Sequence, residues 1–140
     1  MIRAALLLGL LALPASAASL LTAYPHNVRV IDGDTVELVE SDELVRLADI
    51  DTPETRPSRG YTPPPCEVAR GRRATEAVRA ILAAVEDVHV LRRMRGDAIA
   101  TDRYGRTLGW LIVDGVDLGA WLVASGLARP YVPGAKGDWC

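Results

Sequence analysis

Three short β-branched runs, each cut off by a polar turn, dominate the first half of this chain. Val28-Arg29-Val30-Ile31 and Thr35-Val36-Glu37-Leu38-Val39 alternate in part, as half-buried strands do. Asp32-Gly33-Asp34 separates them, with Gly33 free to take a positive φ. Ser41-Asp42 marks the next turn, and Leu44 to Ile50 completes a meander. The period then changes. From Glu67 to Val85, Ala74, Ala77, Val78, Ile81, Leu82 and Val85 fall on one helical stripe. Val88 to Leu91 and Arg106 to Val113 read as a fourth and fifth strand, the latter ended by Asp114-Gly115. Asp117 reads as the N-cap of a short helix through Ser125, stopped at Gly126. Thr55 to Pro65, with four prolines and a glycine, reads as an exposed loop. The pattern predicts a mainly β (α+β) fold. Closing five strands into a small barrel, with two helices packed on it, removes edges that an open sheet would have to protect.

At 140 residues the chain is one domain by length. Residues 1–17 read as a secretory signal peptide: Arg3 supplies the positive start, Ala4 to Leu13 the apolar run, and Ala15-Ser16-Ala17 the cleavage site. The competing reading is a buried N-terminal helix; the apolar run is too short to span a bilayer. Residues 18–27 then form an N-terminal extension and 28–140 the folded domain. An exported protein, periplasmic or extracellular, with no membrane segment after cleavage, is the expectation.

Export also decides how the two cysteines read. Cys66 and Cys140 are the only possible pair, and an oxidising compartment permits a disulfide between them. In the chain-entropy model, closing so long a loop stabilises by roughly 4 kcal/mol. Two free thiols are the alternative. A zinc site is disfavoured, because His26 and His89 lack ligand-like spacing.

The net charge of −2 argues against a general nucleic-acid coat protein. Its distribution says more. Residues 18–55 hold two arginines against nine acids, and residues 56–106 hold eleven arginines against six. An acidic cluster facing a basic strip suits a cation site beside a polyanion track, although part of that strip also reads as a solvated helix face.

The acids and arginines recur in a fixed order: Asp32-Gly33-Asp34-Thr35, Arg46, Asp51-Thr52-Pro53-Glu54 and Asp102-Arg103-Tyr104-Gly105-Arg106. Carboxylates are oxygen ligands for a hard divalent cation, arginines are planar forks for phosphate, and a further carboxylate can activate water. Two acids brought close repel each other unless a cation lies between them. Taken singly, each of these residues has an ordinary explanation as a turn, cap, salt-bridge or surface residue. Taken as a set, they resemble the staphylococcal nuclease (thermonuclease) family, over roughly Val28 to Tyr131.

That resemblance implies an OB-fold barrel and a calcium-dependent, secreted nuclease. It would act as a monomer on DNA and RNA and leave 3′-phosphate ends. It implies that Asp34, Asp51 and the backbone carbonyl of Thr52 bind Ca2+, with Asp32 nearby through water. It makes Glu54 the general base, and Arg46 and Arg106 the groups that contact the scissile phosphate. Tyr104 belongs to the family's Asp-x-Tyr-Gly-Arg signature, and Tyr131 lies near a position where a tyrosine packs on the substrate nucleotide. The family's type member continues into a third helix; here a tail stapled by Cys66 and Cys140 is expected in its place. The rival reading is a non-catalytic nucleic-acid-binding OB-fold module, which would have lost acids or arginines that this chain keeps.

Overall fold

The computed structural model describes residues 19–140, so residues 1–17, which the sequence suggests are a signal peptide, lie outside the described residues. In chain order the elements are β1 (Ser19–Ala23), a 3-10 turn (Pro25–Asn27), β2 (Val28–Asp32), β3 (Thr35–Leu38), β4 (Glu43–Leu47) and β5 (Ile50–Asp51). They continue with α1 (Pro65–Ala84), β6 (Val88–Arg92), β7 (Met94–Arg95), β8 (Ala98–Ile99), β9 (Thr107–Val113), β10 (Val116–Asp117), α2 (Leu118–Ala124) and β11 (Arg129–Pro130).

The main sheet runs β1-β6-β9-β4-β3-β2, with every pair antiparallel except β4 with β9. Its two outermost strands, β1 and β2, follow one another in the chain and are separated only by Tyr24–Asn27. The sheet therefore curls until its ends meet through the backbone, giving the mainly β, α+β architecture expected from the pattern and the OB-like form implied by the resemblance. Part of the stretch read as an N-terminal extension is thus a strand of that sheet. Glu43 on β4 clamps three neighbouring strands, accepting from Arg92 Nε on β6 at 2.8 Å and from Thr107 Oγ1 on β9 at 2.8 Å.

Strict alternation in β6 and β9 sends Val88, Val90, Leu111 and Val113 inward. They meet Val36, Val45 and Leu47 of the meander and Val78 and Leu82 of α1 in one core. Leu118 and Leu122 of α2 close it from the other side. As predicted, Asp117 caps α2, its carboxylate accepting from the backbone N–H of Gly119 at 2.9 Å and Ala120 at 3.3 Å. Pro65 is already helical, an N1 position where the missing N–H costs nothing.

Two expectations need correcting. The strand from Leu44 to Ile50 is broken at Ala48-Asp49, where Asp49 takes φ +66°, so β5 leaves the sheet and pairs with β11 instead. Gly33 does not adopt a positive φ. Its lack of a side chain matters sterically, because a Cβ there would meet Ala74 Cβ at 2.8 Å. Gly71 plays the same part further along: a Cβ would stand 2.5 Å from the Pro53 carbonyl. The two glycines let α1 lie directly against the segments that carry the acids.

Candidate active site

Four separate segments bring their polar residues to one end of the curled sheet. Asp32 and Asp34 flank the tight β2–β3 turn, in which the Asp32 carboxylate accepts the Asp34 N–H at 3.1 Å. Arg46 lies on β4 directly across from Thr35. Asp51 ends β5, and Arg106 immediately precedes β9.

Arg46 is the hub. Its Nη2 lies 3.2 Å from Asp34 Oδ2 and 3.3 Å from Asp51 Oδ1. Its Nη1 donates to the carbonyls of Leu47 at 2.8 Å and Ile50 at 3.1 Å, which aims the guanidinium at the acids. Asp34, buried, also accepts the Thr52 N–H at 3.1 Å and the Thr35 hydroxyl at 3.2 Å. Thr52 therefore joins the cluster through its N–H. Arg106 reaches the same corner, donating from Nη1 to Thr35 Oγ1 at 3.2 Å. Asp102 holds Arg106 in place, accepting its Nε–H at 2.7 Å and its backbone N–H at 3.0 Å. The structure thus gathers Asp32, Asp34, Arg46, Asp51, Thr52 and Arg106.

Burial of acids at such close range shows in their proton affinities. Burial, then the neighbouring Asp34 charge, push the Asp32 carboxyl up to about 7. The same two causes raise Asp51, against the opposing pull of Arg46 and Arg129. Asp102 is lowered: its burial acts upward, but the hydrogen bonds from Arg106 outweigh it.

Could such a site hold a cation? Among the described residues, no group of three or more His, Cys, Asp or Glu side chains is gathered tightly enough to do so alone. Asp34 and Asp51 nevertheless converge on a single point, the Arg46 Nη2, so their oxygens can serve one cation. An ion wanting 6–8 oxygens would complete its shell with backbone oxygen, water and substrate phosphate. The donor set, hard and anionic, fits Ca2+.

Glu54 lies two residues past Thr52, close enough that its charge adds to the causes raising Asp51. Its carboxylate contacts Lys136 Nζ at 3.0 Å, and its N–H donates to Glu67 Oε1 at 3.1 Å. Tyr104 is 63% exposed, and its ring lies under both Arg103 and Arg106, whose guanidinium carbons are 4.9 and 5.5 Å from the centroid. Tyr131 is 54% exposed; among the described residues its ring makes no stacking or hydrogen-bonding contact. Cys66 and Cys140 are joined, with Cα atoms 6.1 Å apart.

Three residues at the site escape the sequence reading. Arg129 stands opposite Asp51 in the β11–β5 ladder and donates to Asp51 Oδ2 at 3.3 Å. Lys136 reaches Glu54 from the tail. Glu67, 1% exposed, supports the Glu54 backbone and accepts the Tyr61 hydroxyl. A signal existed for Glu67 alone, since it lies on the buried face with Gly71, Ala74, Val78 and Leu82.

A curled β-sheet with acids and arginines at one end defines the class: the chain belongs to the staphylococcal nuclease homologue family, whose profile matches residues 44–137. Two relatives, from Escherichia coli and Escherichia coli O157:H7, are each described as an uncharacterized endonuclease. Each is 35% identical over 107 residues, covering 74% of this chain and 58% of the relative. Protein ParB of Escherichia coli is 43% identical over 89 residues, covering 62% of this chain and 40% of its own length. The chain thus spans a little over half the length of the first two.

Proposed function

We propose that this protein is an exported, calcium-dependent nuclease that hydrolyses phosphodiester bonds of DNA and RNA and leaves 3′-phosphate ends. The observation that carries the reading is the meeting of Asp34 and Asp51 on Arg46, with Arg106 at the same corner through Thr35. Family membership and the two endonuclease-named relatives support it. The disulfide supports export.

Each residue then has a task. Asp34 and Asp51 would hold the cation, with Thr52 at its edge and Asp32 behind. When bound, the cation neutralises the acids and polarises a phosphate oxygen. Arg46 and Arg106 would offer their planar forks to the phosphate and offset the charge that builds on phosphorus. Glu54 takes the proton of the attacking water. The new P–O bond forms as the bond to the 5′ oxygen breaks; that oxygen picks up a proton, and the phosphate stays on the 3′ side.

The test is an assay of the purified protein on DNA and RNA. Calcium should support cleavage, chelator should abolish it, and magnesium should restore it poorly, given its tighter octahedral shell. Glu54→Gln should lower the rate by roughly 10²–10⁴-fold, the usual worth of a positioned base, and leave calcium affinity intact. Full activity in excess chelator removes the cation from the reading. Loss of calcium binding in Glu54→Gln makes Glu54 a ligand instead of a base.

A further inference from the structure

The first turns of α1 carry a cluster of exposed arginines. Arg70 and Arg73, three residues apart, share one helix face and are exposed. Neither enters an ion pair among the described residues, whereas Arg79 farther along the helix pairs with Glu76 at 2.5 Å. Together with Pro53, Gly126, Leu127 and Trp139 they line a pocket of about 70 Å³. Pro53 is the residue between Thr52 and Glu54, so this pocket adjoins the proposed catalytic segment. A larger depression of about 450 Å³ lies at the other end of α1, walled mainly by apolar groups.

Trp139 is held there by more than chance packing. The Arg129 guanidinium carbon lies 4.1 Å from its ring centroid. Arg129 in turn donates to the Gly137 carbonyl at 2.8 Å and to Asp51 at 3.3 Å. The next residue, Cys140, is bonded to Cys66 in the first turn of α1. The segment is pinned on two sides, and its indole is fixed one guanidinium away from Asp51.

We propose that this notch is a second phosphate-binding subsite for the substrate strand, in which Arg70 and Arg73 take a phosphate flanking the cleaved bond and Trp139 carries the adjoining sugar or base. The proposal rests on the nuclease reading above and extends it. Size decides the ligand: pockets that enclose a whole small molecule run to about 300–1,000 Å³. A notch this small cannot bury a base but can seat a phosphate. Paired guanidinium forks match phosphate oxygens, and an indole platform accepts any base. A polynucleotide would thus be gripped on both sides of Glu54, by Arg46 and Arg106 at the cut and by Arg70 and Arg73 beyond Pro53.

The experiment measures binding of a fluorescent single-stranded oligonucleotide in chelator, and cleavage of the same strand in calcium. The variants are R70A/R73A, W139A, W139F and the control R72A/R79A, which removes equal charge elsewhere on α1. R70A/R73A should weaken binding about tenfold or more, the worth of a lost charge-assisted contact. Its salt dependence should flatten by about 0.7 in the log–log slope, the increment for one phosphate on a single strand. The loss in cleavage should fall on KM, and the advantage of the oligonucleotide over a dinucleoside phosphate should shrink. W139F should bind better than W139A. Equal weakening in R72A/R79A would reveal a diffuse field and overturn the subsite, as would unchanged KM and salt slope in R70A/R73A. If the unaltered protein binds the strand through these arginines but cleaves nothing in calcium, the nuclease reading fails and the subsite stands.

Discussion

Asp32 shows how much a single side chain can report about this site. Its carboxyl titrates near 7, because burial and the adjacent Asp34 both disfavour its charge. Unfolded, it would ionise near 3.8. The folded protein therefore keeps a proton that the unfolded chain releases, and the sign follows from linkage. Its favourable contribution is full below about pH 4 and is lost as pH rises toward 7. Asp32→Asn, which cannot ionise, should gain stability relative to the unaltered protein across that window in chelator, and calcium should narrow the difference. Melting temperatures of the two proteins from pH 4 to 8 would show it; parallel curves in chelator would mean that Asp32 ionises freely. At this scale the sequence points to the acids and to Arg46 and Arg106 only as a set in a fixed order that resembles a known family, and the structure brings them to one corner. It is silent on Arg129 and Lys136. Both reach the site through a return of the chain, which no local period encodes.

At the scale of elements, α1 does more than cover the core. Its first turn places Glu67 beneath the Pro53–Glu54 segment, where one carboxylate takes both the Glu54 N–H and the Tyr61 hydroxyl. That hydrogen bond is the leading reason the Tyr61 phenol is pushed up to about 12; burial adds to it. Glu67→Leu would leave a part-buried N–H without its acceptor, a loss on the order of 1 kcal/mol. Hydrogen exchange at the Glu54 amide should then accelerate. Glu67→Gln keeps an acceptor oxygen but removes the charge, so Tyr61 should titrate closer to its ordinary 10.0. An unchanged phenol titration in Glu67→Gln would show that another group governs Tyr61. The helix stripe, the cap at Asp117 and the alternation of β6 and β9 are legible from sequence because burial acts through fixed periods. The break at Ala48-Asp49 is not. It depends on β5 finding β11 nearly 80 residues later.

The whole molecule is fastened at both ends of the described chain. At one end, β1 pairs with β6 while β2, next in sequence, borders the far side of the sheet. Sequence conceals this strand, since Leu20-Leu21 follows a largely apolar stretch of sequence and shows no alternation of its own. At the other end the tail contributes no helix. Its order comes from the Cys66–Cys140 bond and from the contacts that bond keeps within reach: Lys136 with Glu54, the Gly137 carbonyl with Arg129, and Trp139 stacked on Arg129. Cutting that bond restores the entropy of a loop closed across 74 residues of sequence. The measured worth of such a bridge is typically about 2–4 kcal/mol, which for a domain this size lowers the melting temperature by roughly 5–15 °C. Reduction should also release the tail locally, so that amides after Pro130 exchange faster while those of β6 and β9 keep their protection. Calcium affinity should survive, because no proposed ligand is a thiol. Reduced and oxidised protein melting together would mean that the ladder of β11 with β5, rather than the disulfide, holds the tail in place.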